Sequence, residues 1–140
     1  MRTKILLIVC FLILFCGTET SVRAGETRMS ISQLKLSWAD YENKIIRIEF
    51  NYATDISQVD KGTYCATLWD EHGNSIYAEF KTAGLNYIQR TSKRKKRWYV
   101  SAIVVRTTLQ NKYGATSIGP MLKLIGHRHK SMGFKARYRW

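Results

Sequence analysis

Cations and aromatic rings are the side chains whose type and spacing could do chemistry here. Lys93, Arg94, Lys95, Lys96 and Arg97 run consecutively within SKRKKR. Five adjacent charges of one sign form a patch from which a polyanion would displace counterions, giving salt-sensitive binding. A second group is carried on predicted strands, where Arg47, Thr67, Trp69 and Tyr77 share one outward phase. Rings at Trp69 and Tyr77 suit stacking on bases or sugars, worth about 1–3 kcal/mol per stacked base. Glu49 and Glu79 share that phase and would repel phosphates, and the two rings would equally suit packing under a loop or an N-terminal helix. A third group mixes Phe134, Tyr138 and Trp140 with Lys135, Arg137 and Arg139, a composition fitting nucleic acid or a membrane interface. Charge runs also make ordinary solvated loops and solubilising tails.

Groups for catalysis are sparse. His72 falls in a predicted turn, and His127 and His129 could reach one metal, but no Cys or carboxylate nearby in sequence completes a ligand set. No glycine-rich phosphate loop and no Ser/His/Asp or Cys/His set is evident. Asp40 and Glu42 do not share a helix face and make no acid–base pair. The expectation is a binding protein without enzymatic activity, metal or cofactor.

Charge supports the same class. The net charge is +13, and it is unevenly placed: from Phe80 onward there are fifteen Lys/Arg and no Asp/Glu. All ten acidic residues lie at or before Glu79. So lopsided a field favours a polyanionic partner: nucleic acid, an acidic glycan or anionic lipid headgroups. The runner-up is an envelope protein-interaction or structural domain whose basic tail touches lipid.

The elements that must position these groups centre on Thr63 to Phe80. Tyr64, Ala66 and Leu68 alternate toward one face, and Ile76, Ala78 and Phe80 continue it after Asp-Glu-His-Gly-Asn. Period-two alternation around such a turn predicts an antiparallel hairpin. Gly25 to Met29 reads as a flexible leader. Ser30 to Asn43 predicts an amphipathic helix with Ile31, Leu34, Trp38 and Tyr41 inward and Ser30 or Ser32 as N-cap. Lys44 to Ala53 is the first strand, with Ile46, Ile48, Phe50 and Tyr52 on one face, and Asp55 to Gly62 a polar connection. Thr82 to Thr91 is a short helix or turn, Trp98 to Arg106 the fourth strand, Thr107 to Ser117 a long loop, and Ile118 to Ile125 the fifth strand.

Leu68, Asp70, Gly73 and Ile76 resemble the L-x-D-x-x-G-x-x-I hairpin of many OB-fold barrels, and Pro120, Leu122 and Ile125 resemble the P-x-L-x-x-I ending of bacterial OB-fold domains. With the β-β-β-α-β-β order, the chain resembles exported bacterial OB-fold domains related to the tRNA-anticodon-binding barrel, over roughly Ile31 to Ile125. That resemblance implies a mainly β, five-stranded antiparallel barrel with an N-terminal helix and a short helix between strands three and four. It also implies binding of oligonucleotides, oligosaccharides or proteins on the second and third strands, flanked by the loops after strands one and four. The latter loop contributes Lys112 and Tyr113. Such barrels often bend the first strand at a glycine; here the equivalent stretch is Glu49-Phe50-Asn51.

The leader reads as a targeting segment. Met1 to Lys4 is basic, Ile5 to Phe15 is apolar, and Val22 to Ala24 suits signal-peptide cleavage. The apolar run is shorter than the roughly 20 residues that span a bilayer. Phe15 before Cys16 fits a lipid-attachment site poorly. Expected boundaries are a signal peptide at 1–24, a barrel domain at 25–126 and a basic aromatic tail at 127–140, in an exported protein, periplasmic or extracellular. Cleavage leaves Cys65 as the one cysteine, expected as a partly covered thiol on the outer face, so packing must hold the domain together without disulfides.

Overall fold

The computed structural model describes residues 27–128 and 137–140. The expected signal peptide, His129, Phe134 and Lys135 lie outside the described residues. The elements are β1 (Thr27–Ser30), α1 (Ile31–Ser37), a 3-10 turn (Trp38–Tyr41), β2 (Ile45–Phe50), β3 (Tyr52–Asp60), β4 (Thr63–Trp69) and β5 (Ser75–Lys81). A second 3-10 turn (Thr82–Gly84) leads into α2 (Leu85–Lys93), followed by β6 (Trp98–Gln110), β7 (Thr116–Arg128) and β8 (Arg137–Arg139). The fold is mainly β with two helices. One mixed sheet runs β1-β2-β6-β7-β5-β4-β3, and β8 pairs with β7 off this path.

The β4–β5 hairpin follows the alternation read from sequence. Its register sets Tyr64 opposite Phe80, Ala66 opposite Ala78 and Leu68 opposite Ile76. Five of these six are buried and Tyr64 packs half-buried against them. Asp70 closes the turn by accepting from the backbone N–H groups of His72 (2.9 Å) and Asn74 (2.8 Å) and from Asn74 Nδ2 (2.8 Å). Gly73 sits at φ +82°, a conformation that a Cβ disfavours. Leu68 and Ile76 of the hairpin motif thus fill the core, while Asp70 and Gly73 shape the turn.

The sheet differs from the expected five strands in several places. The first strand does not run through from Lys44 to Ala53: Asn51 interrupts it, and chain on either side pairs with different partners. β2 lies against β6, whereas β3 lies against β4. Asp55 adopts φ +54° at a register shift between Thr54 and Ser57. Asn51 and Asp55 therefore supply the bending for which a glycine was expected, since Asp tolerates the left-handed region through local hydrogen bonding. The anticipated polar connection at 55–62 is mostly strand, with only Lys61 and Gly62 turning.

Backbone pairing also claims segments that composition left irregular. Thr27–Ser30, whose first three residues were expected as leader, pairs parallel to β2. The expected loop at 107–117 is instead a continuation of β6 and β7 as far as Gln110 and Thr116. Only the turn around Asn111 is irregular; its side chain accepts from Tyr113 N–H and Ala115 N–H. Pro120 consequently stands within β7 rather than at its start, opposite Arg106, where β5 has not yet joined. The N-terminal helix is shorter than expected. Ser30 caps it reciprocally with Gln33 (3.2 and 2.9 Å). Ile31 and Leu34 are buried, and after Ser37 the chain tightens into the 3-10 turn that brings Trp38 and Tyr41 onto the core.

Candidate functional site

Asn51 decides which aromatic rings face outward. Up to Phe50 the inward phase is Ile46, Ile48 and Phe50, each fully buried. The interruption shifts the phase, so Ala53 is the next buried residue and Tyr52 turns outward, contrary to its expected core position. Tyr52 lies opposite Trp69 in the β3–β4 register. Their rings are 7° from parallel with centroids 6.1 Å apart. Trp69 Nε1 donates to Thr54 Oγ1 at 2.7 Å, which ties the half-buried indole to the neighbouring strand.

The basic loop reaches this same place. Lys95 Nζ stands 4.8 Å from the centroid of the Tyr52 ring, a cation–π contact. Lys96 donates its backbone N–H to Asn51 O at 3.3 Å, and its Nζ lies 4.1 Å over Trp98. Trp98 Nε1 in turn donates to Arg94 O at 2.9 Å. Lys93 ends α2. Arg97 pairs with Glu49 at 2.9 Å, so the carboxylate expected to repel phosphates is held by a neighbouring cation. The loop is thereby pinned beside the Tyr52–Trp69 pair. Two groups that the sequence left separate meet at one corner.

Tyr77 pairs with Thr67 and is 36% exposed on the same outer side of β4 and β5. Its phenol is pushed up to about 12 by burial, by its hydrogen bond with Cys65 and by the nearby Cys65 and Glu79 charges. At neutral pH it is an uncharged donor, compatible with an anion. Cys65 itself is buried on this outer side, within 3.1 Å of Ser57 Oγ. Beside Glu79 the register places Lys123.

Other expected site residues lie elsewhere. Arg47 belongs to the β1–β2–β6 part of the sheet, where its guanidinium lies 4.8 Å over Tyr99, together with Arg28 at 5.7 Å. It is not brought beside Trp69 and Tyr77 on β4 and β5. Lys112 and Tyr113 sit in the exposed β6–β7 turn, Lys112 Nζ 5.0 Å from the Tyr113 ring. Arg137 and Arg139 lie on β8, in register with Arg128 and Gly126. Tyr52 is the functional candidate that sequence reasoning missed; the signal was Asn51, standing where a bend was required.

Among the described residues, no three His, Cys, Asp or Glu side chains converge as a metal site, and no helix is long and apolar enough to cross a membrane. His127 is engaged by Trp140, whose Nε1 donates to His127 Nδ1 at 2.9 Å.

No protein-family model and no curated protein matches the chain. Among solved structures, it is similar to one described provisionally as an aspartyl-tRNA synthetase from Leishmania major Friedlin, with 18% identity and a TM-score of 0.50. The match covers 72% of this chain but 20% of that one, so the chain spans about a fifth of its neighbour's length. At this identity the likeness bears on the fold alone.

Proposed function

We propose that the chain forms the closed five-stranded barrel of an exported OB-fold protein, a non-enzymatic module that binds single-stranded nucleic acid at the Tyr52–Trp69 corner. Barrel closure is supported by connectivity. β2 ends beside β6 and β3 begins beside β4, far apart in the pairing order, yet only Asn51 separates them. Taken as one bent strand, they bring β6 and β4 onto its two halves, with β1 added along the edge of β2. The ring then runs through β4, β5, β7 and β6, with α2 between β5 and β6, as in an OB-fold. Export rests on the basic start, apolar run and cleavage pattern of residues 1–24.

One observation carries the binding reading: Lys95 stands over Tyr52, and Tyr52 is stacked on Trp69. A flat base can lie on this aromatic surface while its phosphate meets Lys95 and the adjoining cations. An acidic oligosaccharide would use the same cations, and anionic lipid would use the charge without the flat rings. The test is binding of the mature protein to single-stranded DNA, heparin and anionic vesicles from low to moderate salt. Strongest binding to DNA, weakened by Trp69→Ala, is expected. Heparin or vesicles bound more tightly would replace nucleic acid by glycan or lipid, and no binding to any at low salt would overturn the reading. A protein partner is the second reading, favoured by the exposed Leu109, Tyr113 and Ile118 on the β6–β7 hairpin.

A further inference from the structure

The outer side of β2 links the Tyr52 corner to a second cationic cluster. β1 and β2 pair in parallel with Arg28 directly beside Arg47. Both guanidinium groups lie over one ring, Arg28 Cζ at 5.7 Å and Arg47 Cζ at 4.8 Å from the Tyr99 centroid. Like charges set side by side on paired strands repel. Both are held over the ring, and two adjacent guanidinium groups can share one phosphate through charge-assisted hydrogen bonds.

What lies between the two clusters keeps the path open to an anion. Arg47 and Glu49 succeed one another on the outer side of β2, and Asn51 follows at its end. Glu49 is neutralised by Arg97 at 2.9 Å, and Asn51 O accepts from Lys96 N–H. From Arg47 to Tyr52 is five residues, up to about 17 Å of extended chain. A dinucleotide on the Tyr52–Trp69 rings would not use this length, whereas a strand within the usual 4–16 nucleotide range of an OB fold would.

We infer that a nucleic acid strand seated at Tyr52–Trp69 continues along β2, and that Arg28 and Arg47, braced on Tyr99, hold its backbone phosphates. This rests on the nucleic-acid reading above and gives the bound strand a direction: along the first strand of the barrel, not across β4 and β5.

The experiment compares oligothymidine dinucleotide with octanucleotide, using the mature protein, the Arg28→Gln/Arg47→Gln double variant and Trp69→Ala. The native protein should bind the octanucleotide far better. The double variant should lose roughly tenfold for the octanucleotide at low salt, with its salt slope shallower by about 1.4, the value for two single-strand phosphate contacts. Its dinucleotide affinity should be unchanged, while Trp69→Ala weakens both lengths. If the double variant binds the octanucleotide with native affinity and slope, the path along β2 is wrong and the aromatic corner stands. If neither length binds the native protein at low salt, the nucleic-acid reading fails and the path with it. Should the double variant not fold, Arg28→Lys/Arg47→Lys keeps both charges. It should retain the salt slope but lose part of the octanucleotide affinity, because lysine cannot form the forked contact. Unaltered affinity in that variant would overturn the inference.

Discussion

Two aromatic clusters built from the same kinds of residue have opposite surroundings. At the Tyr52–Trp69 corner, two near-parallel rings lie on the outer side of the sheet, with Lys95 over one of them. At the other cluster, rings turn toward one another and toward the core. Tyr87 stacks on His127 with centroids 4.0 Å apart, meets Trp98 edge-on, and donates its hydroxyl to Tyr99 O at 2.8 Å. Burial pushes this phenol up to about 12, against the hydrogen bond to Tyr99 and the Arg47 charge, which lower it. Trp140 completes the cluster by packing against Phe80 and by donating from its backbone N–H to Ile125 O. Its ring lies so close to Gly84 that a Cβ there would sit 2.5 Å from it. An aromatic ring is available to a ligand only where packing leaves it exposed. Where polar atoms are satisfied inward, the same ring is packing.

Replacement of core side chains sets the scale for this contrast. Leu68→Ala should lower unfolding free energy by about 2–5 kcal/mol, since it empties a fully buried site. Thr67→Ala, on the outer phase, should change it by less than about 0.5 kcal/mol. Equal losses in chemical denaturation would mean that the hairpin faces are assigned backwards.

Gly84→Ala and Trp140→Ala probe the inward cluster. Each should cost about 1–3 kcal/mol in stability, by overpacking or by loss of a half-buried ring, and leave the salt slope of ligand binding alone. Trp69→Ala should do the reverse, weakening single-stranded DNA by about 1–3 kcal/mol per stacked base with little change in melting. If Trp140→Ala impairs binding without affecting stability, the two clusters have been given the wrong duties.

Acid should act on the hairpin. Burial raises the Asp70 carboxyl, but hydrogen bonds from the Asn74 side chain, the Asn74 and His72 backbones and the His72 charge outweigh it, so its pKa lies below the ordinary 3.8. A depressed folded-state pKa means that its stabilisation is present above the unfolded value and lost as pH falls through the folded one. Asp70→Asn should remove that part of the acid sensitivity seen in melting temperature below pH 4. The smallest expected effect is that of Lys95→Gln, which should flatten the salt slope by about 0.7, one single-strand phosphate contact. An unchanged slope would assign Lys95 to bracing Tyr52 alone.

Most of the sheet's elements are legible in the sequence because their signals are local. Alternation at Tyr64–Leu68 and Ile76–Phe80, the Asp70–Gly73 turn, the 3–4 spacing of Ile31, Leu34, Trp38 and Tyr41, and the short helix after Phe80 each depend on neighbours a few residues away. The basic run at Lys93–Arg97, Trp69 and Tyr77 were likewise visible as candidate site residues. Tyr52 was not, because period-two counting carries across Asn51 without registering that the strand bends and changes partner there. Nor could composition reveal that Thr27–Ser30 and Arg137–Arg139 find edges to pair with, or that Arg97 reaches Glu49. By itself the sequence determined which segments alternate, where the turns fall and how lopsided the charge is. Only the tertiary structure decided which rings face outward, which cations stand beside them and which carboxylates are neutralised. Those outcomes depend on contacts between distant parts of the chain, which no local pattern encodes.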